Sequence, residues 1–112
     1  MEAHPRNVQF YQTEDERRPF EEWVNDLKDK RALAAIASRL IRVRQGNLGD
    51  CAPVGEGVLE LRVDVGPGYR IYLGQVGQKI VILLCGGDKS TQDADIRNAK
   101  VYWKDFKERN KP

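Results

Sequence analysis

"ELRVDVGPGYRIYL", residues 60–73, decides the fold, because it reads as two strands joined by a tight turn. Leu61, Val63 and Val65 alternate with Glu60, Arg62 and Asp64, the period of a half-buried strand. Beyond the turn, Tyr69, Ile71 and Leu73 alternate with Arg70 and Tyr72. A three-residue loop at Gly66-Pro67-Gly68 sets Val65 opposite Tyr69, Val63 opposite Ile71 and Leu61 opposite Leu73. A two-residue loop would mix apolar and charged faces, so the longer loop is expected. The other face then gathers Glu60, Arg62, Asp64, Arg70 and Tyr72, with Asp64 across from Arg70 and Arg62 across from Tyr72. A solvated face with an exposed ion pair would account for this and would add little stability. A site for an anionic ligand would account for it equally.

At 112 residues the chain makes one domain, spanning 1–112, with a single core. No apolar run is long enough to cross a membrane, and the start lacks a basic segment followed by an apolar one. The expectation is a cytoplasmic protein that does not engage a membrane. Cys51 and Cys85 are then unpaired thiols. No C-x-x-C, histidine pair or carboxylate cluster offers metal-ligand spacing; His4 is the only histidine, and no cofactor is expected. The net charge of +2 conceals an asymmetry. Residues 1–27 hold three Lys/Arg against seven Asp/Glu, and residues 28–112 hold sixteen against ten. A basic remainder suits a polyanion partner, as does many a balanced solvated surface.

Around the hairpin, a first strand is predicted at Asn7 to Tyr11. Thr13 with Glu16 resembles a capping box and Pro19 suits a first helical turn. Phe20, Trp23, Val24 and Leu27 then recur at helical spacing, giving a helix to about Asp29. A second helix starts near Lys30 with Leu33, Ile36, Ala37 and Leu40 inward; Arg31, Arg39, Arg42 and Arg44 lie on its polar side. Residues 46–57 read as a Gly/Pro loop. "KIVILLC", Lys79 to Cys85, reads as a central strand covered on both faces. Ser90 or Thr91 can cap a last helix that buries Ile96, Ala99, Trp103 and Phe106. Arg97, Lys100, Lys104, Lys107 and Lys111 make one narrow stripe along it. The order β-αα-βββ-α predicts an α+β domain, with helices packed on one face of a small, mostly antiparallel sheet. The Arg62/Arg70/Tyr72 face would then stay open as a shallow basic concavity.

"RQGNLGDCAPVGEGVLELRVDVGPGYRIYL" followed by "LLCGGDKSTQDADI" resembles the addiction-module killer proteins, the HigB-like branch of the RelE/ParE toxin superfamily. The resemblance runs from about Val8 to Phe106. It is carried by Gly46-Asn47-x-Gly49, Glu60-Leu61-Arg62, Gly66-Pro67-Gly68-Tyr69-Arg70 and Gly86-Gly87-Asp88-Lys89-Ser90-Thr91-Gln92, in that order. It implies a RelE-like fold and a toxin paired with an antitoxin, a helix-turn-helix protein from the adjacent gene. The active relatives cleave mRNA in the decoding site of the ribosome. Carried over by position, the catalytic residues are Arg62, Arg70 and Lys89. Relatives often place a tyrosine or histidine near the start of the final helix, where this chain reads Asp93-Ala94-Asp95-Ile96-Arg97. The acid and base are thus unassigned.

Cleavage without water has the 2′-hydroxyl attack the adjacent phosphorus and needs cations where charge develops. Arginine forks match phosphate geometry and keep their charge, so Arg62 and Arg70 suit that task but not the role of base. Arg39, Arg42, Arg44, Tyr72, Arg97, Lys100, Lys104 and Lys107 are candidate RNA or ribosome contacts. The arginines of the second helix serve an antitoxin surface equally well, and both the stripe and Lys89 also read as solvated charge. Three functions remain open: a ribosome-dependent mRNA endonuclease toxin, a ParE-type inhibitor of DNA gyrase without chemistry, and an inactive antitoxin-binding relative.

Overall fold

The structure, a computed structural model, describes residues 5–112; His4 lies outside them. The chain runs β1 (Asn7–Phe10), α1 (Pro19–Asp26), α2 (Lys30–Arg44), β2 (Cys51–Gly55), β3 (Val58–Val63), β4 (Tyr69–Val76), β5 (Ile80–Asp88) and α3 (Gln92–Arg109), with a short 3₁₀ turn at Lys89–Thr91 before α3. The strands form one mixed sheet in the order β1-β5-β4-β3-β2, with only β1–β5 parallel. The α+β class is as expected, but the sheet has a strand more than the sequence suggests. The Gly/Pro stretch contains β2, which survives its Pro53 because it lies at the sheet edge, where a missing N–H costs no ladder bond.

The hairpin keeps its predicted faces and shifts its register by two residues. Val63 pairs with Tyr69, Leu61 with Ile71 and Glu60 with Tyr72, so Arg62 stands opposite Arg70. The connecting loop is residues 64–68, turned by Gly66 and Gly68 at positive φ, with Gly68 N–H donating to the Val65 carbonyl. A shift of two leaves every side chain on its face, which is why alternation could not detect it.

Helix boundaries follow local caps. Thr13 and Glu16 form a turn ahead of α1 instead of its cap; the cap position is Arg18, followed by Pro19. Asp29 ends the link between α1 and α2 by accepting hydrogen bonds from Arg31 and Ala32 N–H. Thr91 holds the cap position of α3 but makes no side-chain cap bond; Asp88 caps the 3₁₀ turn before it, closing a capping box with Thr91.

The helices do not share one face. Phe20, Ala32, Ile36 and Val43 from α1 and α2 pack on Leu61, Val63, Tyr69, Ile71, Leu73, Val81 and Leu83. On the other side Ala99 and Trp103 from α3 pack on Val58, Tyr72, Ile82, Leu84 and Cys85. Two close approaches enforce this sandwich: a Cβ on Gly86 would overlap the Trp23 ring, and one on Gly74 would overlap Trp103. Gly86 and Gly87 thus lie inside β5. A bulge between β4 and β5 makes Leu84 the extra residue, so that Cys85 and Gly87 turn toward α3 and Gly86 toward α1. No helix among the described residues is long and apolar enough to cross a membrane.

Docking of α3 through Gly74 gives a direct check. Gly74→Ala should lower the unfolding free energy by about 1–3 kcal/mol, the usual cost of overfilling a packed site. Urea denaturation measures it, and an unchanged midpoint would contradict the placement of Trp103.

Candidate functional site

Glu60 is the one buried charged residue in the core of the described chain, only 1% exposed. Strand alternation turns it away from α1 and α2, onto the side of Arg62, Arg70 and Tyr72. Its Oε2 accepts hydrogen bonds from the Tyr72 hydroxyl at 3.0 Å and from the Gln92 amide at 2.9 Å. The Arg62 Nε lies 3.5 Å from Oε1 and the Arg70 Nε 3.9 Å from Oε2. Arg62 also reaches Asp50 at 3.6 Å, and its side chain is 44% exposed against 14% for Arg70. Two guanidinium groups facing each other across a ladder repel. The buried carboxylate between them offsets that repulsion as an ion-pair partner of both; neither arginine hydrogen-bonds to it, and the buried Arg70 Nε has no hydrogen-bond partner among the described residues.

Burial pushes the Tyr72 hydroxyl well above its ordinary range, and the bond to Glu60 adds to this. Fully buried and hydrogen-bonded, Tyr72 is a structural partner of Glu60 and not the exposed RNA or ribosome contact that its face suggested.

Asp95 enters the site from α3. Its carboxylate occupies the space where a side chain on Gly87 would begin, and Gly87 is the cross-strand partner of Arg70. The Thr91 hydroxyl donates to it at 2.5 Å. Burial raises the Asp95 carboxyl above the usual aspartate range, against the lowering effect of that hydrogen bond. Lys89 begins the turn that precedes α3 and is exposed; its backbone N–H donates to the Gly68 carbonyl, fastening the turn to the hairpin loop.

The remaining candidates separate into structural and exposed groups. The Arg39 guanidinium donates to the carbonyls of Arg62, Leu48 and Asp50 at 2.7, 2.8 and 2.9 Å, so it staples the α2–β2 loop to β3 and is no free contact surface. Gly49, at positive φ, runs directly beneath it, which explains the Gly46-Asn47-x-Gly49 stretch. Arg42, Arg44 and Arg97 are exposed. Lys100, Lys104 and Lys107 line an open groove of about 420 Å³ with Glu56 and Val101; Lys107 also lies 5.6 Å from the Trp103 ring centre. Cys51 and Cys85 are free thiols. Among the described residues no group of His, Cys, Asp and Glu is arranged to hold a metal ion.

The sequence thus placed Glu60 on the face of Arg62 and Arg70 but not its burial, and Gln92 and Asp95 escaped it as members of the site. A signal existed. Glu60 and Arg62 share a strand face, and Gln92 and Asp95 fall three apart on the side of α3 that carries Ala99.

No family model matches the chain. A protein of Haemophilus influenzae (strain Rd) that carries no functional name is 52% identical over 82 residues, covering 73% of this chain and 83% of that one. The chain belongs to the same family as that protein.

The Glu60 cluster predicts a large and asymmetric stability effect. Glu60→Ala leaves two arginines face to face and removes the partner of Tyr72 and Gln92, and should cost about 3–5 kcal/mol. Tyr72→Phe removes one hydrogen bond and should cost about 1 kcal/mol. Equal, small losses in chemical denaturation would show that the carboxylate does not organise the cluster.

Proposed function

We propose that this protein is the toxin of a type II toxin–antitoxin pair and acts as a ribosome-dependent mRNA endonuclease. The observation that carries the proposal is the pair of arginines, Arg62 and Arg70, facing each other across a ladder and held by one buried carboxylate beside the Lys89 turn. Guanidinium groups suit the charge that develops on phosphoryl oxygens, and the buried Arg70 Nε, without a hydrogen-bond partner among the described residues, has a donor to spare. The resemblance of the Glu-Leu-Arg, Tyr-Arg and Gly-Gly-Asp-Lys segments to the HigB-like toxins supports the same reading. In it, Lys89 protonates the leaving 5′-oxygen. Lys100, Lys104, Lys107 and Arg97 give phosphate contacts to ribosomal RNA, and the antitoxin is the protein partner.

Magnitudes favour an external aligner. Removing one such charge-stabilising donor typically costs about 3–4 kcal/mol, against the roughly 8–23 kcal/mol by which enzymes lower barriers. Much of the rest must come from holding the 2′-hydroxyl in line with the phosphorus. A messenger gripped in the decoding site is held; free single-stranded RNA is not.

The test compares one mRNA with and without programmed ribosomes at equal protein concentration. Cutting should be faster by orders of magnitude with ribosomes, leaving a 2′,3′-cyclic phosphate and a 5′-hydroxyl. Arg62→Ala and Arg70→Ala should each slow it about 10²–10³-fold, while circular dichroism stays native. Intact transcripts together with DNA breaks in expressing cells would overturn the proposal in favour of gyrase inhibition. Unimpaired growth of those cells would point to an inactive antitoxin-binding relative.

A further inference from the structure

If the protein is an endonuclease, a premise on which this inference rests, some group must take the proton from the 2′-hydroxyl. The side chains around Arg70 narrow the choice. Arginine stays protonated and cannot accept. Glu60 is buried to 1% exposure; its Oε2 accepts from Tyr72 and Gln92, and the carboxylate is the ion-pair partner of both arginines. Tyr72 has no exposed surface. Burial pushes the Cys85 thiol up to about 12, too weak an acid to supply a thiolate at neutral pH. The Asp88 carboxylate is committed to the Ser90 N–H and hydroxyl, which hold its pKa down.

Asp95 differs from all of these. It is half-buried rather than sealed, and among the described residues the Thr91 hydroxyl is the one side chain that hydrogen-bonds to its carboxylate. The β-bulge turns Gly87 toward α3, and the missing side chain there lets the Asp95 carboxylate rest against the sheet. That point is the cross-strand neighbour of Arg70, where facing side chains lie about 5 Å apart. A phosphate held by the Arg70 fork would thus have a carboxylate on its flank.

We propose that Asp95 is the general base of the site. Its carboxylate removes the 2′-hydroxyl proton as the 2′-oxygen bonds to phosphorus. The bond from phosphorus to the 5′-oxygen breaks, and that oxygen leaves with a proton from Lys89. Asp95 ends protonated and Lys89 neutral, and exchange with water restores both. The titratable groups that face Asp95 are Tyr72 on β4 and Cys85 and Asp88 on β5; the uncharged Thr91 hydroxyl bonds it, and Arg70 is the cross-strand neighbour of the Gly87 it rests against. Burial of the carboxyl, with Asp88 nearby, favours the proton, which strengthens the base.

The experiment measures single-turnover cleavage on programmed ribosomes across pH. Wild type should lose activity as pH falls and Asp95 protonates. Asp95→Asn should cut about 10²–10⁴-fold more slowly, keep its co-sedimentation with ribosomes, and lack that acid limb. Thr91→Val removes the hydrogen bond that favours the carboxylate, so its acid limb should move to higher pH. Equal cutting by wild type and Asp95→Asn would overturn the assignment alone, as would an unmoved limb in Thr91→Val. No cutting by wild type on ribosomes would overturn the endonuclease reading and this assignment with it.

Discussion

A carboxylate sealed inside a sheet is costly, and two arginines set directly opposite each other are costly as well. In this protein the two liabilities occupy one place and offset each other. Glu60 lies within reach of Arg62 and Arg70, and its remaining acceptor capacity goes to Tyr72 and Gln92. Four strand residues and one helix residue thereby form a single cluster. Because Gln92 opens α3, the seating of that helix and the posture of the two arginines are one event.

The second determinant is backbone room. Gly74, Gly86 and Gly87 each admit a neighbouring side chain, respectively Trp103, Trp23 and Asp95, into space that a methyl group would fill. Two of these bring large aromatic rings down onto opposite faces of the sheet and so convert a layer of strands into a sandwich. The third brings a carboxylate beside Arg70. The β4–β5 bulge decides which glycine serves which face, since it reverses the alternation midway along β5.

Much of this was legible in the sequence, and the reasons for the remainder are physical. Alternation gave the faces of β3 and β4 correctly because side-chain direction depends only on parity; the same property hid the two-residue register shift. The helix periods identified Phe20, Ile36, Ala99 and Trp103 as inward residues, and all four are buried. Periodicity says nothing about which side of the sheet a helix takes, so α3 was expected on the wrong one. Edge strand β2 escaped because its Pro53 and glycines read as loop. Arg39 looked like a surface cation, since its carbonyl partners lie 9 to 23 residues further along the chain. Arg62 and Arg70 stand on the face that alternation assigned to them, and the Lys89 turn follows the end of β5. Glu60 was seen as a neighbour of the arginines, without the burial that makes it their organiser.

The parallel pairing of β1 with β5 has a consequence for synthesis. The first strand, Asn7–Phe10, finds its partner only in Ile80 to Leu83, and the Tyr11 hydroxyl bonds to Asp105 at 2.6 Å. A chain emerging from amino to carboxyl end therefore waits for most of its length before its opening segment can dock, with long loops to close. Gln92, Asp95 and the cover that Trp103 gives the sheet come later still. The Gln92 bond to Glu60 therefore closes the cluster only once α3 has formed, after the β3–β4 hairpin that carries Glu60 and both arginines.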